Sequence, residues 1–225
     1  QGLALVAHKG KLFRIGGFQA RNAEGEDHDL WSAGGFARFD PQTKKWEDLP
    51  DMPAPRSSFD AVVVGDRVYV IGGWSMQGDK ETQWRDDAYA FDLSQADDKA
   101  AKWQPIAKPP FKRRALCTGT RDGKVYVIGG MQPQGKVTTA TAVYDPETDK
   151  WTAGPKLPGE DMEGFGAACC TIDGQLYVST SSGKLLKLSP EGDKWRPAGK
   201  LETGRFFHQM LPLGKHQLGV IAGAH

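Results

Sequence analysis

Long apolar runs are missing from this 225-residue chain: the longest are a few residues, far short of the roughly 18 that point to a membrane span. The N-terminus shows no basic-then-apolar leader pattern either. An excess of one charge is also missing. The formal net charge is +1 with acids and bases interleaved, which removes any electrostatic argument for nucleic acid or for an anionic membrane surface. Cysteine is scarce, at three residues, with no Cys-x-x-Cys and no histidine at zinc spacing, so no metal site is expected. Cys169 and Cys170 are neighbours in a predicted strand and point to opposite faces, which favours buried free thiols. Cys117 lies in the equivalent strand of the preceding repeat, so a link from it to one of the pair stays open. The five histidines, His8, His28, His208, His216 and His225, show no ligand spacing. Gly-x-Ser-x-Gly is absent, as is Gly-x-Gly-x-x-Gly ahead of a helix. No cofactor and no catalytic residue is expected.

What the chain does have is a repeated glycine pair. "KLFRIGG" at 11 to 17, "RVYVIGG" at 67 to 73 and "KVYVIGG" at 124 to 130 each end an alternating strand on two glycines. Glycine weakens strands, so a pair at a strand end marks a place where the backbone bends or is closely approached. Each strand follows a shorter one across Lys-Gly, Gly-Asp or Asp-Gly, dipeptides suited to tight antiparallel hairpins. A variable stretch follows, then a third strand, a polar turn and a fourth strand with Trp46, Trp103, Trp151 or Trp195. The fourth repeat has Thr180 and Ser181 in place of the glycines, and a fifth stops after its hairpin, with Ala222 and Gly223 there.

Four strands per repeat, about 50 residues per period, a terminal glycine pair and a later tryptophan together resemble the kelch motif, whose repeats are blades of a β-propeller. The resemblance covers the whole chain. It implies an all-β, kelch-type β-propeller domain over 1–225, with blades at 1–55, 56–112, 113–163, 164–204 and a partial one at 205–225. Four complete four-stranded blades plus half of a fifth leave strand edges open, so the chain is expected to be part of a larger ring. The resemblance also assigns Phe13, Tyr69, Tyr126, Tyr177 and the four tryptophans to the core, each burying roughly 1.5 to 3 kcal/mol of ring.

Strand parity places the connections after the second and fourth strands on one face, which collects the long dissimilar segments at 18–35, 74–87 and 131–141. Just before the first strands stand Arg56, Arg113 with Arg114, and Arg205, while "LPGEDMEGF" has Glu160, Asp161 and Glu163 there. In the kelch family such arginines ring the mouth of the central channel, and in several members they hold acidic peptides or carboxylated sugars by planar bidentate contacts. The candidate ligand-binding set is Arg56, Ser57, Arg114, Arg205, Glu163, Trp74 and His208, with Trp31 and Trp84 as further stacking surface. The first reading is a non-catalytic binder of a protein, peptide or glycan ligand, anionic in character, leaning to a periplasmic or extracellular setting. The alternative is a sugar epimerase resembling the sialic acid mutarotases, in which Glu163 works beside Arg114 or Arg205. A copper oxidase like galactose oxidase lacks an evident ligand set.

Overall fold

The computed structural model describes residues 2–225 and contains no α-helix among them. The first sheet is built from Ala4–His8 (β1), Lys11–Ile15 (β2), Phe36–Asp40 (β5) and Lys45–Leu49 (β6), with a ribbon of Phe18–Ala20 (β3) and Leu30–Ser32 (β4) inserted between β2 and β5. The second uses Asp60–Val64 (β7), Arg67–Ile71 (β8), Ala88–Asp92 (β11) and Gln104–Pro105 (β12), interrupted by a ribbon of Trp74–Ser75 (β9) and Gln83–Trp84 (β10). The third runs through Cys117–Arg121 (β13), Lys124–Ile128 (β14), Thr141–Asp145 (β15) and Lys150–Gly154 (β16). Ala168–Ile172 (β17), Gln175–Ser179 (β18), Lys184–Leu188 (β19) and Trp195–Lys200 (β20) make the fourth, and Gln209–Pro212 (β21) pairs with Leu218–Ile221 (β22). Every pairing is antiparallel, and each four-stranded sheet runs in simple sequence order apart from its inserted ribbon. The expected four sheets and half of a fifth are all present.

The chain divides into two compact units, residues 1–114 and 115–225. Within the first, β1 lies against β7; within the second, β13 lies against β17 and β17 against β21. Within each unit, first strands therefore lie side by side. Hydrophobic layers fill the wedges. Ile15, Phe36, Leu49, Val68, Phe91 and Trp103 pack in the first unit. Tyr126, Ile128, Leu176, Val178, Leu188 and Trp195 pack in the second.

The hairpins form as their turn residues dictate: Asp122 and Gly123 both have positive φ, at 50° and 73°, as a two-residue primed turn demands. The glycine pair has its own cause. The N–H of Gly17 donates to the Arg56 carbonyl at 3.0 Å, that of Gly73 to Arg113 at 2.8 Å and that of Gly130 to Gly164 at 2.7 Å. Each bond joins one blade to the segment that begins the next, and the approach leaves no room for a side chain. A Cβ on Gly129 would stand 2.2 Å from the Gly164 carbonyl oxygen. A second set of main-chain bonds runs one step nearer the first strands: Ser58 N–H to Gly2, Gly166 N–H to Ala115 and Phe207 N–H to Gly166, at 2.8 to 3.0 Å.

Segments 18–35 and 74–87 each carry a two-stranded ribbon. Two expectations are corrected. Trp103 and Trp195 are buried, and each donates its indole N–H at 2.9 Å to a carbonyl of the preceding blade, Pro50 or Pro155. Trp46, however, is 51% exposed, lying on the outermost strand of its sheet against Phe39 and the Arg14 guanidinium. Trp151 and Tyr177 are only half-buried. Finally, Cys117 and Cys169 are joined as a disulfide between β13 and β17, leaving Cys170 as the buried free thiol. Neighbouring first strands bring their Cα atoms to 5.8 Å, a separation that a disulfide spans comfortably.

Candidate functional site

The residues with positive φ just before each first strand fix the register of the connections. Ser58, Ala115, Gly166 and Phe207 are equivalent, with φ between 53° and 58°. Arg56, Arg113 and Arg205 therefore share one position, two residues earlier, and Gly164 holds it in the fourth blade. Ser57, Arg114, Phe165 and Phe206 share the next. The sequence pairing of Arg114 with Arg56 and Arg205 is thus one residue out, and Arg113 is the true counterpart.

Arg56 is completely buried. Its Nη1 donates to the carbonyls of Gly72 (3.3 Å) and Asp87 (3.1 Å), and its Nη2 to Asp87 Oδ1 (3.0 Å), with the Tyr89 ring 5.3 Å away. Asp87 also accepts from Arg85 and from the Tyr89 hydroxyl. Burial alone would raise the Asp87 carboxyl. The Arg85 hydrogen bond and the charges of Arg56 and Arg85 outweigh it and hold the group below the ordinary carboxylate range. This network ties the β8–β11 connection to the segment entering β7, and it presents no guanidinium surface to a ligand. Arg205 reaches the corresponding carbonyl of its own blade, Ala222, at 3.1 Å. Arg56 and Arg205 thus each donate to a carbonyl at the end of the second strand of their own blade.

Ser57, Trp74 and Arg114, three of the expected site residues, do come together. Ser57 and Trp74 exchange both main-chain hydrogen bonds, at 2.9 and 3.1 Å, which seats the β9–β10 ribbon on the segment before β7. The buried Ser57 hydroxyl meets Ser32 Oγ at 3.0 Å. Trp74 and Trp84 meet edge to face at 5.6 Å, and the Arg114 guanidinium lies over Trp74 at 4.0 Å and near Trp84 at 6.0 Å. Partial burial lowers the Arg114 pKa, yet an arginine stays charged at any physiological pH. Trp31 is engaged elsewhere, under the Arg21 guanidinium at 4.1 Å and donating to Asp29 at 2.6 Å.

In the second unit Glu163 lines a cavity of about 430 Å³ with Gly159, Glu160, Met162, Ser181, Ser182 and Lys184. Its nearly buried carboxylate accepts from Ser182 Oγ at 2.9 and 2.8 Å and from Lys184 Nζ at 2.5 Å. Burial pushes its pKa up, but the hydrogen bonds from Lys184, Thr180 and Ser182 carry the net shift downward. The cation beside Glu163 is thus Lys184, which the sequence reading did not single out. His208, just before β21, is buried against Ser179 at the end of β18, where burial first and the Arg205 charge second lower its pKa. Among the described residues no cluster of three or more His, Cys, Asp or Glu is arranged to hold a metal ion.

The family model described as the KLHDC2/KLHL20/DRC7 Kelch-repeats domain matches residues 2–223. Human Kelch-like protein 23 is 26% identical over 207 residues, covering 88% of this chain and 33% of that protein. Kelch-like protein terF of Aspergillus terreus is 29% identical over 147 residues, 61% of this chain and 31% of that one. Alpha-scruin of Limulus polyphemus is 25% identical over 203 residues, 84% of this chain and 21% of its own length. The chain thus spans a third or less of these curated relatives. The solved structure of YjhT superimposes with a TM-score of 0.77 at 16% identity, covering 99% of this chain and 77% of that one. Likeness at that identity speaks for the fold alone.

Proposed function

Because the chain belongs to the kelch-repeat family of β-propellers, we propose that it is a binding module that recognises an anionic group on a protein, peptide or glycan through the connections after its second and fourth strands. The observation that carries this reading is the Arg114 guanidinium stacked 4.0 Å over Trp74 and flanked by Trp84. Stacking holds a guanidinium flat, and a planar, pre-set fork loses less side-chain freedom when it grips a carboxylate. The surrounding indoles exclude water and strengthen that grip, while offering their faces to an apolar portion of the same ligand. The paired main-chain hydrogen bonds between Ser57 and Trp74 hold the platform in place. The Cys117–Cys169 link supports a setting in an oxidising compartment.

A test uses acidic, neutral and basic peptides of equal length, titrated against the chain and read by fluorescence anisotropy. Acidic peptides are expected to bind best, and Arg114→Ala to weaken them by about 2 kcal/mol, with Arg114→Lys failing to restore affinity. Equal binding of all three peptides would sink the reading.

The cavity at Glu163 favours one second reading, a small polar ligand such as a sugar held between a carboxylate and an ammonium group. A proton-transferring enzyme is served best by groups that titrate near the working pH. The downward shift at Glu163 runs against that, so the second reading is a binding pocket before it is an epimerase. Direct titration with monosaccharides against wild type and Glu163→Gln checks it.

A further inference from the structure

In each unit two neighbouring sheets enclose a wedge, and the wedge ends differently in the two. In the first unit the connection from β11 to β12 is long, and Leu93, Ala96 and Ala101 from it pack with Phe36, Leu49 and Trp103. Asp97 of that connection accepts from Arg38, the cross-strand partner of Phe13, at 2.6 Å. The wedge is closed. In the second unit the connection from β19 to β20 is a short turn, in which the Asp193 carboxylate accepts from Ser189 Oγ at 2.7 Å. The indole bonds of Trp103 to Pro50 and of Trp195 to Pro155 set the correspondence, so Tyr126 stands for Phe13, Val143 for Arg38 and Gly154 for Leu49. What remains is a cleft of about 480 Å³ between the third and fourth sheets, with Asp122, Lys124, Tyr126, Thr152, Gly192 and Asp193 in its lining. Both flanking sheets have all four strands.

Tyr126 is nine-tenths buried, and its hydroxyl has no hydrogen-bond partner among the described residues. Across the cleft, a Cβ on Gly192 would lie 3.7 Å from its oxygen. Tyr69, at the same station of the second sheet, has Arg67 as a hydrogen-bond partner. The counterpart of Arg67 is Lys124, whose ammonium donates instead to Asp145 at 3.0 Å. A buried hydroxyl left unmatched is costly, and Phe13 fills the equivalent station without one. Packing needs the ring and not the oxygen.

The rest of the lining accepts hydrogen bonds more readily than it donates them. Lys124 is occupied by Asp145, and Arg121 spends its Nη groups on the Ser189 and Pro190 carbonyls and its Nε on Asp122 at 3.2 Å. Asp122 and Asp193 are exposed, and the hydrogen bond from Ser189 holds the Asp193 carboxyl below the ordinary range. An ionised carboxylate has about four acceptor positions, so both retain capacity for a donor-rich guest.

We propose that this cleft is a binding site for a small hydroxyl-rich amine of monosaccharide size, in which Tyr126 and Thr152 meet ligand hydroxyls and Asp122 with Asp193 take the ammonium. Its volume lies in the range of about 300 to 1,000 Å³ usual for small-ligand pockets. The site goes beyond the anion-binding reading and shares no residue with the Arg114 platform or with the cavity at Glu163.

Calorimetric titration of the chain with glucosamine, glucose and glucuronate tests it. Glucosamine is expected to bind best, glucose more weakly and glucuronate least. Tyr126→Phe, which keeps the ring, is expected to weaken glucosamine about fivefold, the loss of one neutral hydrogen bond, with Tm equal to or above wild type. Asp122→Asn combined with Asp193→Asn is expected to erase the preference for glucosamine over glucose. The proposal is overturned if none of these sugars binds at millimolar concentration, if Tyr126→Phe binds glucosamine as wild type does, or if Tyr126→Phe lowers Tm. Glucosamine binding that is lost with Glu163→Gln and kept in Tyr126→Phe would place the amine in the other cavity and overturn it as well. Binding of glucuronate alone, lost with Arg114→Ala, would support the anion reading and overturn this one.

Discussion

At the scale of single residues, burial sorts arginines of one motif into different trades. Arg56 has no exposed surface and spends its donors on Asp87 and two carbonyls, while Arg114, one register position further on, keeps its plane against a tryptophan. Arg56→Met is therefore expected to cost about 2 to 3 kcal/mol in urea unfolding, since Asp87 keeps Arg85 but loses a fully buried partner. Arg56→Lys should recover little, because one ammonium cannot span the three acceptors. Asp87 also sets a pH dependence. Its folded-state pKa lies below the unfolded value of about 3.9, so its contribution is complete above that value and disappears as pH falls through the folded pKa. A thermal scan should show Tm dropping below about pH 4, and Asp87→Asn should have a lower plateau with a smaller acid drop.

At the scale of strands and connections, how a tryptophan performs depends on which sheet lies beside it. Trp103 fills the wedge against Phe36 and Phe91 and bonds across to Pro50, so Trp103→Ala is expected to cost about 3 to 5 kcal/mol. Trp46→Ala, on an exposed outer strand, should cost less than about 1 kcal/mol by the same unfolding measurement. Both tryptophans look alike in the sequence, because the spacing that marks the fourth strand carries no information about its neighbour. The hairpins, the glycine pairs and the four-strand count were legible, since alternation and turn chemistry act over a few adjacent residues. The β3–β4 and β9–β10 ribbons were not, because strands of two or three residues are too short to alternate. The choice between Arg113 and Arg114 hinged on which residue adopts positive φ, and Ala115 gives no hint of that in its chemistry. Glu163 was visible as a charge, whereas Lys184 and Ser182 reach it from 21 and 19 positions away.

At the scale of the whole molecule, the cross-blade disulfide makes stability depend on redox state. Closing a loop across a sequence separation of 52 is worth about 4 kcal/mol in the chain-entropy picture. Thiol titration of the chain unfolded without reductant should find one reactive cysteine, and three after reduction. Reduction should lower the Tm of the chain. Three titratable thiols before reduction would show that Cys117 and Cys169 are not joined.

The ladders from Gly17 to Arg56, Gly130 to Gly164 and Phe207 to Gly166 are made wholly of peptide groups. Assembly therefore asks little of the side chain at the position between these rungs, which is held by serine in one repeat, arginine in another and phenylalanine in two more. Specificity is thereby uncoupled from architecture. Selection, or an engineer, is free to rewrite what the rim grips one station at a time, with each change tested against partners and not against collapse of the scaffold.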